Sequence, residues 1–285
     1  MFSNAKLNEK IAFTLLKIAT GMVVAFVMVI LYYIISNGYS VINLEFITSM
    51  PRNRMTEGGI FPAIMGTAYL IVGSMAVALP LGILSAIYLN EYAQSGRTTW
   101  AIEMAISNLA GTPSVVFGLF GLALFVKYLG FGPSLISASL TLALLILPVI
   151  IRASQEALLT VPKEYREASL ALGVTKWETI RRVVLPAAIP GMITGAILSI
   201  GRVAGETAPI LLTGAAYFLP RMPDSIYSQF MALPYHLYVL ATSGTNIAQT
   251  RPLQYGTALV LLIIVLCVNI VAVSIRSHYR NKIKR

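Results

Sequence analysis

Six apolar stretches, near residues 15–36, 64–89, 101–126, 133–151, 188–214 and 253–275, are each long enough for a helix to cross the roughly 30 Å hydrocarbon core of a bilayer. No other feature constrains the fold as tightly. A span surrounded by lipid has to satisfy its backbone N–H and C=O groups internally, and an isolated stretch of this length does so only as a helix. The expectation is an all-α, polytopic membrane protein with six transmembrane helices. Composition agrees, since 57% of the 285 residues are hydrophobic and 11% are charged, against about a quarter charged in soluble domains. The first stretch follows Lys6, Lys10 and Lys17, but it is too long and lacks the small-residue pattern of a cleaved signal, so it reads as a retained helix. The only cysteine, Cys267, lies in the last stretch, which excludes an intrachain disulfide and a cysteine metal site.

The net charge of +10 would suggest nucleic acid in a soluble protein. In a membrane protein it is first a matter of topology, because Lys and Arg collect on cytoplasmic loops. With the amino terminus inside, six spans place 15 of the 21 basic residues on the cytoplasmic side, including Arg152, Lys163, Arg166, Lys176, Arg181 and Arg182 in one inner segment. Both termini are then cytoplasmic, the chain is a multi-pass protein of the plasma or inner membrane, and no nucleic acid partner is needed. Aromatic residues such as Tyr32, Tyr33, Tyr88, Tyr92, Trp100 and Tyr217 fall at the expected borders.

Three segments are too polar for the bilayer: outer loops near 37–62 and 215–252 and the inner segment 152–187. The inner one reads as two short helices. Pro162 suits a first helical position, Gly173 a left-handed helix end, Thr175 with Glu178 a capping box, and Pro186 the end of the second helix. Leu170, Leu172, Val174, Trp177, Ile180, Val183 and Val184 are more apolar residues than a solvated loop needs. Some are expected to pack on the bundle and the rest to meet a groove on a soluble partner.

The chain has no phosphate-binding loop of the Walker type and neither paired-histidine nor nucleophile-elbow motifs. It is not expected to be an enzyme or to hold a cofactor or metal. Its two histidines, His236 in an outer loop and His278 in the basic tail, are expected at the surface.

The fifth stretch carries Arg202 and Glu206, and a charge at the bilayer centre costs roughly 2.5–3.5 kcal/mol on insertion scales. On one continuous helix at about 100° per residue, Gly191, Gly195, Ser199, Arg202, Glu206, Pro209 and Thr213 share a stripe. Such a stripe is expected to face protein or a water-filled route. Two readings remain open: Arg202 meets an anion in transit through its planar fork of donors, or it forms a structural pair with Glu206. The third stretch contains Gly111, Thr112, Pro113 and Ser114, which would loosen a helix and open a polar route. The alternative is helix packing through Gly111, Gly118 and Gly121.

"EASLALGVTKWETIRRVVLP", 167–186, resembles the cytoplasmic signature of binding-protein-dependent ABC importer permeases. Glu167, Ala168, Gly173, Leu185 and Pro186 fit at the family's spacing, while Ser169 and Val183 replace an Ala and an Ile. "EGGIFPAIMGT", "AIYLNEYA", "LAGTPSVVFGLFGL", "GRVAGETAPILLTGA" and "MALPYHLYVLA" resemble the PstA-type branch for phosphate. The resemblance implies a type I (MetI-like) permease core over 57–280, after an amino-terminal segment, first helix and outer loop over 1–56 and before a basic tail over 281–285. It implies a PstC-type second permease, two PstB-type ATPase subunits that bind ATP and Mg, and a PstS-type binding protein that delivers inorganic phosphate. The seven named signature positions would couple to the ATPase, and Arg202, Glu206 and Thr213, with Thr112 and Ser114, would line the substrate route. A permease for molybdate or sulfate shares the signature, and an ion-gradient-driven anion transporter is the competing class.

Overall fold

In the computed structural model, residues 2–243 and 247–283 are described, without the side chains of 2–8, 54, 247–249 and 278–283. Lys284 and Arg285, and the side chains of Lys6, His278, Arg280 and Lys282, lie outside that part. The elements are almost entirely helical: α1 (Phe2–Gly38), α2 (Leu44–Thr48), α3 (Phe61–Ile87), α4 (Arg97–Gly111), α5 (Ser114–Gly121), α6 (Leu135–Leu159), α7 (Lys163–Ala171), α8 (Lys176–Thr179), α9 (Leu185–Gly205), α10 (Ala208–Thr213), α11 (Leu233–Thr242) and α12 (Ile247–Ile283). Two two-residue strands, β1 (Pro51–Arg52) and β2 (Glu57–Gly58), pair antiparallel in the loop between α2 and α3.

Five helical segments are long and apolar enough to cross a membrane, at Glu9–Val41, Phe61–Tyr92, Leu135–Leu159, Lys176–Gly205 and Thr250–Ser277. The expected third span is instead broken: α4 and the helix from Ser114 to Tyr128 meet at a bend of 104°. Packing shows that this elbow still crosses. Gly73 of α3 lies against Ser139 of α6 and Gly82 against Ile150, so the two helices run parallel and the chain has to return across between them. Its contacts with α6 climb in order, from Glu103 bonded to Arg152 and Gln155, to Gly121 against Thr141, to the Gly132 carbonyl bonded by Ser134 and Ser137. In turn α9 runs antiparallel to α6, with Gly191 on Ala157 and Gly195 on Ala153. Small residues give the close approach that replaces a hydrophobic driving force within lipid.

The helix that begins with α8 does not stop at Pro186. A π turn over Ile180–Val184 leads straight into α9, and the Leu185 N–H reaches back to the Ile180 carbonyl. Proline has no N–H to donate and its ring collides with the carbonyl four residues earlier; the wider turn relieves both problems, so the chain bends its register rather than ending. Pro162 is the residue before α7 rather than its first residue.

The segment 215–252, expected as an outer loop, is not a solvated connection. Phe230, Met231, Ala232 and Leu233 are at most 2% exposed, and the Met231 carbonyl occupies the space a Cβ on Gly66 would need. The Leu233 N–H donates to Thr67 Oγ1 at 2.9 Å. His236, on α11, is therefore 3% exposed rather than at the surface. Among the described side chains, α1 leans on the bundle near its C-terminal end, where Tyr33 meets Tyr255 edge-on and Gly38 abuts the Tyr255 carbonyl.

Candidate functional site

Arg202 stands in the last turn of α9, which ends because the next residues leave the helix. Glu206 is extended (φ −73°, ψ 130°), with its N–H on the Val203 carbonyl, and the chain restarts as α10 with Pro209 in its first turn. Pro209 would collide with the carbonyl of Gly205 in a continuous helix. The stripe expected on one helix through residue 213 is thus overturned: Gly191 and Gly195 pack on α6, whereas Pro209 and Thr213 lie on a separate helix.

Within this break Arg202 Nε lies 3.4 Å from Glu206 Oε1, with side chains 35% and 15% exposed. The other two guanidinium nitrogens make no hydrogen bond among the described residues. Gly201 and Gly205 beside them face open space. The site is a half-buried cation, partly neutralised by one carboxylate and with two donor nitrogens unbonded among the described residues.

The two stretches singled out for a route do come together. Gly118 of α5 lies on α10, where a Cβ would stand 2.9 Å from Pro209 Cα and 3.2 Å from the Ala208 carbonyl. Gly121 packs on Thr141 in the same way, while Gly111 has nothing within 4 Å and packs on no helix. Thr112 closes α4 with its hydroxyl on the Asn108 carbonyl at 2.9 Å. It borders an apolar cavity of about 290 Å³ beside Leu109, Val116, Phe117, Phe120, Leu144 and Leu147, a lining that offers nothing to an oxyanion. Ser114 opens α5 and is half-buried. Thr213 is fully buried and donates to the Pro209 carbonyl at 2.8 Å. None of these three hydroxyls bonds Arg202 or Glu206 among the described residues.

On the opposite side of the bundle α7 and α8 form the expected helix, turn, helix. Gly173 adopts φ +79°, a conformation that side chains with a Cβ rarely take, and the Thr175 hydroxyl accepts the Glu178 N–H. The apolar residues divide, Ile180 and Val184 being buried at 1% and 0% and Leu170, Leu172 and Trp177 exposed. Glu167, Ala168 and Pro186 are also exposed, Val183 and Leu185 half-buried. Ser169 is turned inward, its hydroxyl 2.9 Å from that of Thr179, and joins α7 to α8.

Sequence reasoning missed the charges that hold this region. Arg152 and Gln155 of α6 bind Glu103 of α4, and Arg152 also donates to Ser107 at 2.6 Å. Arg166 binds Glu91 at 2.8 Å, and Lys176 Nζ sits 5.0 Å over the Tyr92 ring. The only sequence signal was a charge near each helix end; partners 49 and 75 residues apart cannot be paired by spacing.

Residues 78–285 match the family described as "Binding-protein-dependent transport system inner membrane component". The chain belongs to that family. Similar proteins include the "Probable ABC transporter permease protein YqgI" of Bacillus subtilis, 35% identical over 94% of this chain and 95% of the relative. The "Phosphate transport system permease protein PstA 1" of Mycobacterium tuberculosis is 39% identical over 90% of this chain and 85% of its own. A bacterial ABC transporter involved in the import of the polysaccharide alginate shares the fold, with TM-score 0.66 over 92% of this chain and 96% of that chain at 16% identity. The MetNI methionine transporter does so with TM-score 0.58 over 78% and 94% at 20% identity. This permease is the membrane component of an ABC importer, not its enzyme, and it works with an ATPase and a substrate-binding protein.

Proposed function

We propose that this permease carries inorganic phosphate into the cell, paired with a PstC-type permease, driven by two PstB-type ATPase subunits that hold ATP and Mg, and supplied by a PstS-type binding protein. The observation that carries the reading is Arg202, half-buried at the break after α9 with two guanidinium nitrogens unbonded among the described residues, together with 39% identity to a phosphate permease. A guanidinium offers paired donors matched to phosphate oxygens. Glu206 at 3.4 Å lowers the local positive potential, which keeps the route weak-binding and leaves tight capture to the soluble protein.

The exposed patch of Leu170, Leu172 and Trp177 around Gly173 is the surface that enters an ATPase groove, with Glu167 and Ala168 at its edge. The basic residues of 152–187 support a cytoplasmic position for this face, and with it for both termini.

Reconstitution in proteoliposomes tests the reading. Labelled phosphate uptake should need ATP, the ATPase, the second permease and the binding protein, with molybdate and sulfate as poor competitors. Effective competition by either would reassign the substrate, and uptake by this chain alone in an ion gradient would refute the importer.

A further inference from the structure

The inner ends of α3 and α6 are joined to the α7–α8 segment by one side chain. The Arg166 guanidinium holds Glu91, in the π turn that ends α3, through Nη2 at 2.8 Å and Nε at 3.2 Å from Oε1. It also donates to the Val161 and Leu158 carbonyls at 2.7 and 2.9 Å, at the negative end of the α6 dipole. The pair is largely buried, at 19% and 8% exposure, whereas Leu172 and Trp177 are exposed. Lys176 on the Tyr92 ring ties α8 to the same π turn, and Ser169 with Thr179 ties α7 to α8. Above this level α3 and α6 are already locked in parallel by Gly73 on Ser139 and Gly82 on Ile150.

A buried ion pair is a poor way to gain stability, since desolvation offsets most of the attraction. What it supplies is direction: a planar guanidinium held by a carboxylate and two carbonyls has one orientation. We propose that the Glu91–Arg166 clamp makes the α7–α8 segment move α3 and α6 as one body when the ATPase acts on that segment. Both act as positioning residues, through the helices they join. The proposal rests on the importer reading above and adds to it the load path through the permease.

The test uses the full transporter in proteoliposomes, with R166Q, E91Q and, in a Cys267→Ser background that removes the only native cysteine of this chain, R166C/E91C. R166Q and E91Q should keep the ATPase bound and basal hydrolysis within about twofold, while binding-protein-stimulated hydrolysis and uptake fall about tenfold, the size of coupling losses seen along such networks. Bridging R166C/E91C with a short bismaleimide should restore both stimulated activities, because fastening rather than charge is what the clamp supplies. Unchanged uptake in R166Q and E91Q, loss of ATPase binding, or a defect that the bridge leaves in place would each overturn the proposal. A wild-type transporter without ATP-dependent uptake would instead refute the importer reading, so the two failures are distinct.

Discussion

His236 lies on α11, in the segment between the last two spans, 3% exposed, and its Nδ1 has no hydrogen-bond partner among the described residues. Burial lowers its pKa from 6.5 to about 4, because no group near it compensates the imidazolium for lost water. The folded protein therefore keeps this histidine neutral over a range in which the unfolded chain binds a proton. Stability is full above about pH 6.5, falls as the pH drops toward 4, and levels off below that. At about 1.4 kcal/mol per pH unit, the loss over the window is about 3 kcal/mol. His236→Leu is of similar bulk and leaves no bonded partner unsatisfied, so it should match or exceed the wild type at neutral pH and lack this acid loss. The measurement is the denaturation midpoint in detergent micelles, followed by the fluorescence of Trp100 and Trp177 from pH 8 to pH 4. The gap between variant and wild type should widen by about 3 kcal/mol on acidification. Curves that stay parallel would show that His236 is not held neutral by burial, and the packing assigned to α11 would be wrong.

Arg202→Gln should lower phosphate uptake by about ten- to a hundredfold, the worth of charge-assisted bonds to an anion, while the transporter still assembles; loss of assembly on gel filtration would favour the structural pair. Gly173→Val places a β-branched residue at φ +79°, a strain of about 1–3 kcal/mol. It should reduce ATPase co-purification and stimulated hydrolysis, and normal values would contradict the turn's role. Gly66→Ala collides with the Met231 carbonyl, a backbone atom that no rotamer change moves. It should cost about 1–3 kcal/mol, whereas Gly111→Ala, with nothing within 4 Å, should change thermal stability by less than about 0.5 kcal/mol.

The spans were legible in the sequence because a long apolar run in lipid has one solution, and the α7–α8 turn because Gly173 and Thr175 are strong local signals. The break after α9 was written there too, in Gly205 and Pro209, but Pro209 was counted into a stripe as if α9 ran on. The burial of His236 had no local signal, since it depends on a segment around residue 231 docking on Gly66 and Thr67 across more than 160 residues. The Arg166–Glu91 clamp was hidden for the same reason. Both of its members looked like ordinary polar residues at a membrane border.

The π turn at 180–184 sets the phase between two surfaces. Each residue of an α-helix advances about 100° around its axis, and a π turn takes up one residue more than an α-helix needs over the same path. Removing one residue there would let α8 run into α9 in ordinary register, with the patch around Trp177 and the guanidinium of Arg202 both chemically intact. The two would simply be turned by about 100° relative to each other, like a shaft remounted one tooth out, so under the proposed coupling a push delivered at α8 would reach Arg202 in the wrong direction.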